Sequence, residues 1–404
     1  MKKRQIKNNV NLYFLENDAY KTNRITINFY SELNQQNAGL GAILTKLLIR
    51  ANKNIQTTLE LERELNKLYG ASMLSGYGKF GDIICYSFGL YILKNKFAGE
   101  GIEEKALKIL TDCVLFQTDF DEEYFFQEKE NQINTIHAKA NDKKALALNN
   151  LIKLLANDEP FAVSEDGEID DVAEVELEDV IDFYDYKFLK LPCDIICSGE
   201  FDEEKLANRI ANLFKHYDAD ADLPKSSTHE FGEEKALTES EELSQSKLAI
   251  GFSLGAGTDE EKTVFNAIFG ATPYSKLFMN VREKMSLCYY VSSKMDLFKN
   301  ILVVESGINK QDFEKAKMGI GKQLEEVIAG NFDEKDIDDA KRAILQSIKQ
   351  AKASLPMREQ LFVKERLLGR ELNEELLGNV SKEAIMAVAK DCKHEAVYLL
   401  ESQE

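Results

Sequence analysis

Four histidines, six cysteines and one dense acidic run are the residues of this 404-residue chain with the most obvious capacity for chemistry. His137, His216, His229 and His394 are scattered, and none has a second histidine four residues on, the spacing that sets two imidazoles on one helix face to grip zinc. Cys193 and Cys197 form a C-x3-C pair inside an apolar run with no second pair nearby, so buried thiols are expected there and at Cys85, Cys113, Cys288 and Cys392. The stretch from Glu165 to Asp179 lacks the alternating oxygens and glycine of a calcium loop and reads as a solvated loop entering a helix. Neither a metal nor an organic cofactor is expected, and no nucleophile, base and orienting group assemble into one motif.

The elements that would position any site come from the apolar pattern. Hydrophobic residues make up 44% of the chain and charged residues 30%, a globular composition, and no apolar run reaches the roughly 18 residues of a membrane helix. The formal net charge of -19 argues against nucleic acid and anionic membranes as partners. The amino terminus has a basic start with no apolar stretch behind it, so a cytoplasmic location is expected.

The chain then says nearly the same thing twice. Ile25, Ile27 and Phe29 alternate as a half-buried strand, and so do Leu248, Ile250 and Phe252. Leu40, Ile43, Leu44, Leu47 and Leu48 form a helical stripe after the first strand, with Val264, Ile268 and Phe269 as the counterpart after the second. Residues 119–136 align without a gap to residues 331–348, with Asp121 and Asp333 where helix caps belong. Between the halves, residues 218–246 are polar and acidic and read as a linker. The expectation is two homologous α+β domains, 1–217 and 247–404, each a mainly antiparallel sheet with helices on one face.

This duplicated pattern resembles the insulinase and pitrilysin superfamily of peptidases with an inverted zinc motif, and the likeness spans nearly the whole chain. That family carries H-x-x-E-H on its first helix. Here Ala42 and Lys46 stand at the histidine positions and Thr45 at the general base, within Gly39-Leu-Gly-Ala-Ile-Leu-Thr-Lys-Leu-Leu. Two imidazoles, a carboxylate and a later third ligand are what hold zinc and activate its water, and a lysine ammonium would repel the dication. The family register for the third ligand keeps Glu128 and places Thr135 at the ligand position.

The second half retains the family's R-E-K-x-x-L-x-Y stretch as Arg282-Glu-Lys-Met-Ser-Leu-Cys-Tyr289, with Ser286 where relatives usually have glycine. The resemblance implies that Arg282 and Tyr289 reach a peptide substrate: a guanidinium forks onto a carbonyl or carboxylate, and a phenol donates where negative charge develops. Taken alone, the residues favour a surface pair of Arg282 with Glu283 or another acid and a core strand tyrosine at 289. The resemblance implies a zinc-less, non-catalytic subunit that binds peptide as a heterodimer with an active H-x-x-E-H paralogue. The competing expectation is a peptide-binding or scaffold protein with no part in proteolysis.

Overall fold

A computed structural model describes residues 2–99 and 101–403, which form two compact units. Among the described residues, the first comprises 2–99, 101–137 and 163–225, and the second 138–162 and 226–403. In the first unit, β1 (Lys2–Lys7), β2 (Val10–Glu16), β3 (Thr22–Glu32), β4 (Ser72–Phe80), β5 (Ile83–Leu93) and β6 (Cys193–Gly199) form a sheet in the order β1-β2-β6-β3-β5-β4. In the second, β7 (Lys235–Glu241), β8 (Ser246–Ser253), β9 (Cys288–Asp296), β10 (Ile301–Ile308) and β11 (Lys393–Ser402) run in the order β7-β11-β8-β10-β9. Each sheet is antiparallel but for one pair, β2 with β6 and β7 with β11. From β2 and β7 onward the two orders match strand for strand, so the duplication expected from the sequence is a duplication of topology.

Period-two alternation decides which side chains face the helices. Ile25, Ile27 and Phe29 enter the first core beside Leu44, Leu47, Leu110 and Phe125, while Leu248, Ile250 and Phe252 enter the second beside Val264, Phe269 and Ile320. The aligned segments become helices of equal length, Glu122–Asn141 and Glu334–Ala353, started by Asp121 and Asp333, whose carboxylates accept Tyr124 N and Asp336 N at 2.9 Å each. The α+β class therefore holds, but helices confined to one face do not: the second sheet is covered on both faces.

The division between units differs from the expected boundaries of 1–217, 218–246 and 247–404. The helix Lys143–Leu155, although it precedes β6 in sequence, packs on the opposite face of the second sheet. Its stripe Ala147, Leu151 and Leu155 meets Ala249, Ile301, Val303, Tyr398 and Leu400, which alternate out of phase with the residues facing the other helices. An apolar stripe demands a partner, and nothing in its own sequence says which sheet supplies it. The expected linker also contains β7, whose side chains are exposed and whose order comes from main-chain pairing with β11.

A buried charged cluster fastens these segments to the second unit. His229, placed in the linker by sequence, contacts Glu159 through Nδ1 and Glu395 through Nε2 at 2.7 Å, and its main-chain N donates to Lys299 O at 2.9 Å. Buried Lys299 Nζ sits 2.5 Å from Glu159, and Gly232 N donates to Glu395 at 2.9 Å. An imidazole that donates from both nitrogens is an imidazolium. Burial pulls its pKa down, but the hydrogen bonds to Glu159 and Glu395 outweigh that, leaving it above the ordinary 6.5. The contribution to stability is thus fully present below pH 6.5 and is lost as pH rises through the raised value. His229→Ala should cost about 3 kcal/mol at pH 6 by removing the cation shared by two carboxylates, and less at pH 9. Denaturant unfolding of both proteins across that range checks it; an unchanged difference at the two pH values would remove His229 from the cluster's energetics.

Candidate functional site

The helix Gln35–Leu47 carries the degenerate motif. It starts at Asn34, whose side chain caps Asn37 N at 3.0 Å, and it lies unusually close to β5. The close approach depends on Gly41, because a Cβ there would fall 2.3 Å from the Tyr86 ring, whose hydroxyl donates to Asn37 O at 3.0 Å. Ala42 is fully buried. Thr45 is buried too and returns its hydroxyl to Gly41 O at 2.6 Å, a bond that leaves it no role as a base.

Lys46 faces the long helix Glu122–Asn141, and its Nζ donates to Gln132 Oε1 at 2.8 Å. Gln132 is itself buried and donates from Nε2 to Asp166 O at 2.8 Å and to the Tyr77 hydroxyl at 3.0 Å. Tyr77 in turn donates to Asp166 Oδ1 at 2.8 Å; burial and the Asp166 charge raise its pKa far above the usual phenol range, so it stays a donor. One turn further along, Arg50 Nε donates to buried Glu128 Oε1 at 2.6 Å, and the guanidinium lies 5.8 Å from the Tyr124 ring centroid. Two cations, Lys46 on the motif helix and Arg50 in the turn after it, thus reach acceptors on the long helix.

Thr135, the expected third-ligand position, does not meet Lys46. Thr135 lies almost one turn beyond Gln132, is partly exposed and bonds back to Asn131 O at 2.7 Å. The residue that meets Lys46 is Gln132, and the retained Glu128 is held by Arg50. Sequence reasoning missed Gln132, Arg50, Tyr77 and Asp166. The available signal was the paired spacing of four, Lys46 to Arg50 and Glu128 to Gln132. Among the described residues no group of three or more His, Cys, Asp or Glu side chains is arranged to hold a metal ion. The thiols offer no substitute nucleophile in the buried positions, because burial pushes Cys85 and Cys392 up to about 12 and Cys113 up to about 11.

Arg282 and Tyr289 are brought together in the second unit. Leu277–Lys284 is a π-helical segment, whose wider turn buries Leu277 and Val281 and leaves Arg282 outward. Arg282 Nε donates to Tyr289 O at 2.9 Å, its guanidinium lies 4.6 Å from the Phe278 ring centroid, and Nη1 pairs with Glu283 at 3.1 Å. The Glu283 pair matches the plainer expectation, but Tyr289 does not lie in the core. It is 63% exposed on β9, the edge strand of its sheet. The turn between them passes through Ser286 at φ 53°, a left-handed conformation that costs a residue with a Cβ about 1 kcal/mol.

Two outcomes follow. Ser286→Gly should raise stability by about 1 kcal/mol, read as a shift in the denaturant midpoint at unchanged slope; no gain would mean the turn is not strained. A chain carrying Ala42→His, Lys46→His and Gln132→Glu should bind zinc measurably by elemental analysis after dialysis, whereas Thr135→Glu in place of Gln132→Glu should not. Zinc held equally by both would restore Thr135 to the ligand position.

Comparison with known proteins agrees with this geometry. The family model described as the Peptidase M16 inactive domain matches residues 174–344. A curated relative, the "Probable inactive metalloprotease YmfF" of Bacillus subtilis (strain 168), is 28% identical over 97% of this chain and 96% of its own length. The crystal structure of a conserved protein from Enterococcus faecalis V583 is similar with a TM-score of 0.91 at 26% identity, covering 100% of this chain and 98% of that one. A peptidase M16 inactive domain from Pseudomonas fluorescens shares the fold with a TM-score of 0.81 at 16% identity, over 100% and 98% of the two chains. With Ala42, Thr45 and Lys46 at the zinc-motif positions and its duplicated sheets, the chain is similar to inactive homologues of the insulinase-type (M16) metallopeptidases.

Proposed function

We propose that this chain is a non-catalytic, zinc-less subunit that binds peptide in the cytoplasm and completes a peptidase chamber with an active H-x-x-E-H paralogue. The observation that carries the proposal is asymmetry between the two motifs. The zinc-motif positions are filled by a buried methyl, a back-bonded hydroxyl and a lysine tied to Gln132, while Arg282, on the π-helical segment, meets Tyr289 on the edge strand β9. An edge strand offers unpaired main-chain groups to an extended peptide, which needs little side-chain specificity to bind. The Tyr289 phenol and the remaining guanidinium donors are available to a carbonyl oxygen as it gains charge.

The scaffold alternative, with no role in proteolysis, draws support from the partners Arg282 already has in Glu283 and Tyr289 O.

Arg282→Ala and Tyr289→Phe should each slow peptide turnover by a reconstituted heterodimer by about a hundredfold, the double change less than the product of the two, with melting temperatures nearly unchanged. Turnover at wild-type rates in both single variants would leave the subunit as a scaffold. A paralogue fully active alone, with no association in sedimentation, would likewise leave it as a scaffold.

A further inference from the structure

The face of the second sheet that carries the helix Lys143–Leu155 is apolar along β11 and β8 but turns polar toward the β9 edge. There Tyr290, Ser292 and Lys294 alternate on β9, Ser292 lies opposite Glu305 on β10, and Tyr290 lies opposite Gly307, which in turn pairs with Lys247 on β8. Gly307 lets the Tyr290 ring lie against β10, since a Cβ there would come within 2.5 Å of it. Lys144 and Lys247 place their ammoniums 4.6 and 5.9 Å from the centroid of that ring.

Three lysines share this corner with one buried carboxylate. Glu305 Oε1 accepts Ser292 Oγ at 3.0 Å and is paired with Lys144 at 3.0 Å and Lys294 at 3.1 Å. Lys247 has only an amide, Gln245 Oε1 at 2.9 Å, and no carboxylate within ion-pair distance among the described residues. Asp142 is close enough to act on Lys247 electrostatically, but its Oδ1 accepts Lys144 N at 3.0 Å and Ala145 N at 3.2 Å to cap the helix. Counting both carboxylates, the corner keeps an excess of positive charge in a chain whose net charge is -19.

We propose that this corner, formed by Lys144, Lys247, Lys294 and Tyr290, is an anion subsite that seats an acidic side chain of an extended peptide lying along β9. The inference rests on the peptide-binding function proposed above and adds a substrate class to it. A strand added to β9 places alternate side chains over the face that holds Tyr290 and Lys294, so one residue of the peptide comes to the cationic corner. Burial, with help from Lys144, holds the Lys247 pKa below the usual lysine range, and an incoming carboxylate relieves that cost.

The test uses the full chain and two fluorescent, N-acetylated, C-terminally amidated peptides, rich in threonine and valine and differing only by a central Glu or Gln. By anisotropy at low salt the Glu peptide should bind about tenfold more tightly. The preference should vanish in Lys247→Met and persist in Lys349→Met, a control on an exposed helix position. Equal affinities in the wild type, with both peptides weakened by Arg282→Ala, overturn the anion subsite and leave peptide binding standing. If neither peptide binds, the peptide function fails, and the subsite is decided by titrating N-acetylglutamate α-amide into reductively 13C-methylated protein. A saturable shift of the Lys247 resonance, lost in Lys144→Met, upholds the subsite, and no shift overturns it.

Discussion

Two cationic side chains, one on the motif helix and one in the turn after it, reaching acceptors on the long helix Glu122–Asn141 are the contact on which the first unit's candidate site depends. In a zinc peptidase of this superfamily a metal would tie the motif helix to the helix that carries the third ligand. Here Lys46 reaches Gln132 and Arg50 reaches Glu128, so two cation-to-acceptor contacts join the same segments. The substitution is consistent through successive layers. Gln132 is oriented by Tyr77 and Asp166, and Glu128 is buried against a guanidinium, the cation best suited to a buried carboxylate. The polar groups of the site are hydrogen-bonded to one another, and a buried polar network of this kind is stable only when complete.

The second unit resolves its charges differently. His229 and Lys299 neutralise Glu159 and Glu395 deep in the structure, whereas Lys144, Lys247 and Lys294 outnumber the carboxylates beside the β9 edge. The first group holds segments together and the second is left open to solvent at Lys294, which is 62% exposed at its side chain. Burial separates the two roles: an unpaired charge is costly in the first place and tolerable in the second.

Much of the architecture was legible because the core-facing strands β3 and β8 alternate cleanly and the helices that follow them carry apolar stripes at helical spacing. β7 was not, since all its side chains but one are exposed and main-chain pairing alone makes it a strand. The loss of the zinc motif was readable at Ala42, Thr45 and Lys46, where three residues within one helical turn and a half replace a local pattern. The facing residue was not, because the choice between Gln132 and Thr135 depends on the rotation and axial offset of one helix against another, which no local spacing encodes.

The helix Lys143–Leu155 also bears on how such a chain can be divided. The polypeptide leaves the first unit after residue 137, builds one layer of the second, returns at 163 and leaves again after 225. A cut at the sequence midpoint therefore does not yield two autonomous halves: the amino-terminal piece would carry Leu151 and Leu155 without the sheet that covers them, and the carboxy-terminal sheet would lose one wall of its core. The gene reads as a tandem repeat, but the first repeat lends the segment 138–162 to the second unit, so a boundary drawn between repeats divides a folded body.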